Sequence, residues 1–209
     1  MSDSTTAVEM PKLEPLKVHC TDSRCESNLH CFSPNRRTKN WQKTYRGQCQ
    51  SCGENLVDWD RVKRRDISDV TGTFSELSHE YIRHVFFHAP FDEKSKQEAL
   101  ALGLTRLKSN VRPLLEKKIA PAKIFRDGTQ TTKGGSAIHY AQHATATCCR
   151  KCLEYWHGIE RNRDLTKEEL DYCEALVLAY LDRRAPELMS EDETSAGSLA
   201  TDLPLLKAS

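Results

Sequence analysis

The chain has 209 residues, enough for one well-filled core and a small additional module. Lysine plus arginine (31) nearly balances aspartate plus glutamate (30), so whole-chain charge selects no partner class. No apolar run approaches the roughly 18–20 residues of a membrane span, and Met1–Glu9 is polar and acidic, unlike a secretory signal. Nine cysteines without such a signal argue for metal rather than a disulfide framework, and the expected compartment is the cytoplasm.

Residues 1–16, with Pro11 and Pro15 and no periodicity, read as a disordered leader. Residues 17–65 read as a zinc-ribbon-like module, with Cys20-x4-Cys25 and Cys49-x2-Cys52-Gly53 as its two halves. A tight turn lets two thiolates face one ion, and a separation of about two dozen residues between halves leaves room for a short strand pair. Such a module buries little apolar surface, and a structural zinc can supply on the order of 10–16 kcal/mol of folding free energy. His30 or Cys31 could replace one of the first pair. The module carries eleven basic against five acidic residues, and Arg36, Arg37, Lys39, Lys43 and Arg46 surround Trp41 and Tyr45. Cations interleaved with aromatics suit phosphate contact plus base stacking, so nucleic acid is the expected partner; a solvated loop covering a small core is the plainer alternative.

Residues 66–186 read as a mainly helical domain, giving an α+β chain overall. Thr73-x-x-Glu76 resembles a capping box, with Phe74, Leu77, Tyr81, Ile82, Val85 and Phe86 at helical spacing behind it and Pro90 ending the segment. His84 and His88 stand four apart and could share a metal. A helix over 93–102 stops at Gly103, and another spans about 110–118. Residues 122–135 read as loop and 136–146 as extended, delivering His139 and His143 to a helix that Thr147 caps and Gly158 ends. Thr166-x-x-Glu169 opens the strongest amphipathic helix, with Leu170, Cys173, Leu176, Val177, Tyr180 and Leu181 as its stripe and Pro186 as its stop. Residues 187–209 read as a disordered acidic tail.

Between Ala141 and Ile159 lie the densest metal-type side chains. His143, Cys149, Cys152 and His157 are the candidate ligands of a second zinc, with Cys148 just off the helix face that Cys149 and Cys152 share. The segment Ala141-Gln142-His143-Ala144-Thr145-Ala146-Thr147-Cys148-Cys149-Arg150-Lys151-Cys152-Leu153-Glu154-Tyr155-Trp156-His157 resembles a family of small bacterial proteins known only as a domain of unknown function. The similarity runs over about residues 105–185. Relatives carry Gly-His-Pro where this chain has Gly135-Ser136-Ala137, and His139 stands where they have an aromatic or aliphatic residue. The resemblance implies no activity.

Three functions compete. One is a zinc protein that binds nucleic acid or a partner. A second is a metal-dependent hydrolase, with zinc lowering the pKa of a bound water and Asp127 or Glu154 as base. The third is a thiol redox protein using Cys149 and Cys152 with Arg150 and Lys151 beside them.

Overall fold

A computed structural model describes residues 17–34, 40, 43, 45–122 and 131–190. Its regular structure is helical. Among the described residues the only β pairing consists of two isolated bridges, Arg24 with Leu29 and His30 with Glu80, so the expected α+β class and the strand pair of a zinc ribbon are not found. The front residues are held instead by turns and by docking onto helices. The expected leader and most of the acidic tail lie outside the described residues, as does Ile124-Phe125.

After a single 3-10 turn at Cys25–Ser27, the helices are α1 (Trp59–Lys63), α2 (Val70–Leu77), α3 (Tyr81–His88), α4 (Glu93–Leu102), α5 (Leu104–Ser109), α6 (Val111–Lys118), α7 (Ala137–Ala144), α8 (Arg150–His157) and α9 (Lys167–Met189). A second 3-10 turn, Ile67–Asp69, leads into α2. Helix α7 is central, packed between α3 and α9 with α4 on another side. Every residue of it except His139 is buried. A helix buried on nearly every side, its polar Gln142 and His143 included, shows no clean one-faced apolar stripe, which is why 136–146 reads as extended from sequence although its four alanines favour helix.

The single helix expected behind Thr73 is two. Thr73 and Glu76 fall inside α2, and the Glu76 carboxylate accepts the Asp58 N–H at 2.9 Å rather than closing a box. The chain breaks at Ser78–Glu80 because its backbone pairs with the front segment: His30 N–H donates to His79 O and Tyr81 N–H to His30 O, both at 2.8 Å. Gly103, at φ +73°, ends α4 as expected, a conformation open to glycine at little cost.

Helix α9 opens with the anticipated capping box, Thr166 accepting from Glu169 N–H and Glu169 from Thr166 N–H. Arg163 also forks onto both Glu169 oxygens at 2.6 and 2.7 Å. Pro186 does not end this helix. Arg184 donates to the carbonyls of Phe86, Phe87 and Ala89, and Glu187 accepts Phe91 N–H, so tertiary bonds hold the turn around the proline.

The front segment docks through aromatics. Trp59 lies 4.8 Å from Trp156 between ring centroids, and Phe32 meets both rings edge-on at 5.8 and 5.9 Å. Beneath them sits a buried ion pair: Arg83 Nε donates to Glu80 at 2.8 Å, with both side chains fully excluded from solvent. The Glu80 carboxylate also accepts Phe32 N–H (3.2 Å), Tyr155 O–H (3.0 Å) and Trp156 Nε1–H (2.9 Å), so one anion ties the front segment, α3 and α8 together. Breaking such a pair strands a buried charge. Glu80→Ala is expected to cost about 3–5 kcal/mol in urea unfolding of the full chain; a loss under about 1 kcal/mol would contradict that role.

Glu169 gives a second prediction. Arg163 holds its carboxyl down at about 2, below the usual value of 4.5. The folded chain therefore binds this proton less readily than the unfolded one, so the stabilisation is complete above about pH 4.5 and lost as pH falls toward 2. Its size is on the order of 2 kcal/mol, because Arg163 is partly exposed and screened. Acid unfolding of Glu169→Gln should show a flatter pH dependence in that window; an unchanged profile would refute the assignment.

Candidate metal centres

Cys25, His30, Cys49 and Cys52 bring one donor atom each to within 4.8 Å of one another and could hold a metal ion. Cys25 opens the 3-10 turn that Asn28 closes in the left-handed conformation (φ 59°). The Arg24–Leu29 bridge then returns the chain so that His30 faces back. Across from it, Gly53 N–H donates to Cys49 O at 3.0 Å and Ser51 N–H to Cys49 Sγ at 3.4 Å. Gly53 takes φ +83°, the reversal the knuckle requires.

The geometry is that of a coordination shell. An ion with zinc–sulfur bonds of about 2.3 Å in tetrahedral array puts two sulfurs about 3.8 Å apart. Cys25 and Cys49 Sγ are 3.8 Å apart, and Cys52 Sγ is 3.3 Å from His30 Nδ1. His30 Nε2–H donates to Asn28 Oδ1 at 3.1 Å, which fixes the tautomer with a free lone pair on Nδ1. Burial pushes the Cys49 thiol up, but the backbone amides of Cys31, Cys52 and Ser51 outweigh it and bring the pKa down to about 6. Burial and the neighbouring thiols of Cys52 and Cys49 raise Cys25 to about 11.

Cys20 stands elsewhere. Its carbonyl accepts from Cys31 Sγ at 3.1 Å, and its thiol adjoins that of Cys152 without joining the mutual 4.8 Å of Cys148, Cys149 and Cys152. The sequence holds two overlapping x4 spacings, Cys20 to Cys25 and Cys25 to His30, and the fold brings the second one to Cys49 and Cys52. Cys31 is buried, and its thiol is pushed up to about 12 by burial first and then by Glu80.

The second group is Cys148, Cys149 and Cys152, all buried. Thr147 does not cap α8. Its N–H donates back to Gln142 O at 2.9 Å across Ala146, which takes the left-handed φ of 57°, so it closes α7 instead. Cys149 occupies the cap position with extended backbone and no capping bond. Cys148 thus sits in irregular chain rather than off a helix face, and can swing in beside the other two. Cys152 Sγ is 3.6 Å from Cys148 Sγ and 3.5 Å from Cys149 Sγ, far beyond the roughly 2.05 Å of a disulfide.

Arg83 lies against this group, Nη2 donating to Cys152 Sγ at 3.2 Å and Nη1 to His143 O at 2.5 Å. Burial disfavours its charge, yet Cys152, Tyr155 and Glu80 hold its pKa well above the ordinary value. Hydrogen bonding to Cys148 comes first in raising Cys149 to about 12, and Cys152 is displaced upward as well.

The two histidines expected here point elsewhere. His143 stacks on Phe86 at 4.6 Å between centroids, with Nε2 on Thr131 O at 3.0 Å, and burial drives its pKa down to about 3. His157 has both ring nitrogens engaged, by Tyr172 O–H and Thr145 O. His139 Nδ1 faces Thr132 Oγ1 and Gly134 O. The rings of His84 and His88 lie 4.2 Å apart between centroids, tilted by 31°, with His88 Nδ1 on His84 O. Cys173 packs in the core, as its place in the stripe suggests.

Of the basic-aromatic strip, Arg36, Arg37, Lys39 and Trp41 lie outside the described residues, as does Asp127. Tyr45 is spent on the fold: its hydroxyl donates to Phe32 O and its ring meets Trp59. Lys43 and Arg46 are exposed, with Arg46 Nη1 on Lys43 O. Glu80 and Arg83 escape sequence reasoning. Their only signal is an i, i+3 spacing of opposite charge, common on solvated helices.

No helix among the described residues is long and apolar enough to cross a membrane. No solved structure matches the chain. A family model does, over residues 71–182, which takes in Glu80, Arg83 and the three thiols of α8 and its cap but not Cys20 or the front quartet. On that match, covering more than half of its length, the chain belongs to the family described as Domain of unknown function (DUF4186).

Proposed function

We propose that this is a zinc-binding protein with two structural metal sites, serving as a binding module for nucleic acid. The carrying observation is the front quartet, whose three sulfurs and one tautomer-fixed imidazole meet within 4.8 Å. Soft thiolates plus imidazole in a four-donor set select zinc among the common divalent ions. The ligands Cys25/His30 and Cys49/Cys52 clamp both ends of residues 31–48, and that stretch carries Arg36, Arg37, Lys39, Lys43 and Arg46. A metal-anchored loop bearing five cations is suited to a phosphate backbone.

The other two readings draw less support. A hydrolytic zinc keeps one position open to water, whereas the three α8 thiols are at most 4% exposed and Arg83 lies over two of them. Reactive thiols have lowered pKa values, and here Cys149 and Cys152 are displaced upward.

Metal analysis of the purified full chain should return close to two zinc ions per chain. Cys49→Ser/Cys52→Ser should remove one and Cys149→Ser/Cys152→Ser the other. A metal content that neither double variant changes would refute the reading. The partner is tested separately with short single-stranded DNA and RNA. If all five loop cations engage, log Kobs should fall with log salt at a slope of about −3 to −4. Arg36→Ala/Arg37→Ala/Lys39→Ala should flatten that slope by about 2. No binding at low salt would overturn the nucleic-acid assignment while leaving the zinc count standing.

A further inference from the structure

We infer that Cys20 is the fourth ligand of the second zinc, making Cys20, Cys148, Cys149 and Cys152 a closed four-thiolate site that joins the front segment to the helical domain. The inference rests on the two-zinc reading above and goes beyond it by naming a ligand outside the family-matched residues.

The three sulfurs of Cys148, Cys149 and Cys152 form one face of a tetrahedron, with edges of 3.5 and 3.6 Å at Cys152. A tetrahedral ion there needs one more donor. Arg83, which touches the group, carries only donor hydrogens and cannot bind a cation. His143 and His157 are turned onto Thr131, Thr145 and Tyr172. The remaining soft donor beside the group is the Cys20 thiol, which adjoins Cys152 but lies outside the mutual 4.8 Å of the other three, so binding an ion would draw it in. The chain holds it there by two further bonds: Cys31 Sγ donates to Cys20 O at 3.1 Å, and Lys133 Nζ donates to Val18 O.

Charge fits the assignment. Four thiolates around a divalent ion carry a net double negative charge, and the buried Arg83 supplies N–H donors to two of those sulfurs, at 3.2 and 3.9 Å. Outer donors of this kind hold ligands in place and disperse their charge. With all four positions filled by protein, no water reaches the ion. The site is then a staple, and because Cys20 and Cys25 lie five residues apart, the two ions pin one short stretch of chain at both ends.

The test uses the full chain loaded with cobalt(II) in place of zinc, with Cys20→Ser, Cys20→His and Cys152→Ser beside the unaltered protein. Sulfur-to-cobalt charge-transfer absorption scales with the number of bound thiolates. The inference expects Cys20→Ser to lose part of that absorption from one site only and to weaken that site on the order of 100-fold, since outer-shell changes alone cost 10–100-fold. Cys20→His should restore binding with one fewer thiolate in the spectrum, which separates ligation from misfolding. If Cys152→Ser loses one metal while Cys20→Ser keeps both, with unaltered absorption and affinity, the second site exists and Cys20 is not its ligand. If Cys152→Ser also keeps both, the second site itself fails.

Discussion

The structure depends on a buried carboxylate meeting a buried guanidinium. Glu80, at the N-cap of α3, and Arg83, in its first turn, are three residues apart, both sealed from water. Each charge is costly to bury, so each must be fully bonded, and the bonds they make define the molecule. Glu80 gathers an amide of the front segment, a tyrosine hydroxyl and a tryptophan N–H. Arg83 gathers the His143 carbonyl near the end of α7 and the sulfurs of Cys148 and Cys152, ahead of and within α8. One ion pair thereby sets the relative position of the aromatic seam and of the thiol group.

That arrangement explains why two clusters of soft ligands can coexist in a small chain. The front quartet is built from turns, and the ion proposed for it would supply much of its order. The α8 group sits inside the core, where deprotonating thiols is unfavourable without a cation. Arg83 offers part of that compensation, and the proposed metal ion would offer the rest. The family match covers the second group and not the first, so the front quartet is an addition to the matched domain.

Particular residues show how tertiary context overrides local pattern. Thr73 and Glu76 have the spacing of a capping box, yet Glu76 is drawn to Asp58 N–H and the helix begins earlier. Thr147 looks like a cap and instead terminates the preceding helix, because Ala146 turns left-handed and sends Thr147 N–H back to Gln142. Pro186 is passed over because Arg184 and Glu187 hold the turn from outside. Around Glu76 and Pro186, bonds to distant residues outweigh local preferences of about 1 and about 3 kcal/mol, whereas Thr147 is claimed by a bond within its own turn.

Sequence alone determined the parts whose physics is local: the Cys49–Cys52–Gly53 knuckle, the glycine stops at 103 and 158, the Thr166–Glu169 box, and the clustering of thiols in two regions. Those features need only a few consecutive residues and a preferred dihedral. Tertiary structure decided everything that required choosing among equivalent candidates. His30 rather than Cys20 faces the knuckle, Cys148 joins Cys149 and Cys152, and His143 and His157 turn to carbonyls and a hydroxyl. Spacing fixes which residues can reach a common point; only the packing around Glu80, Arg83 and the central α7 fixes which of them do.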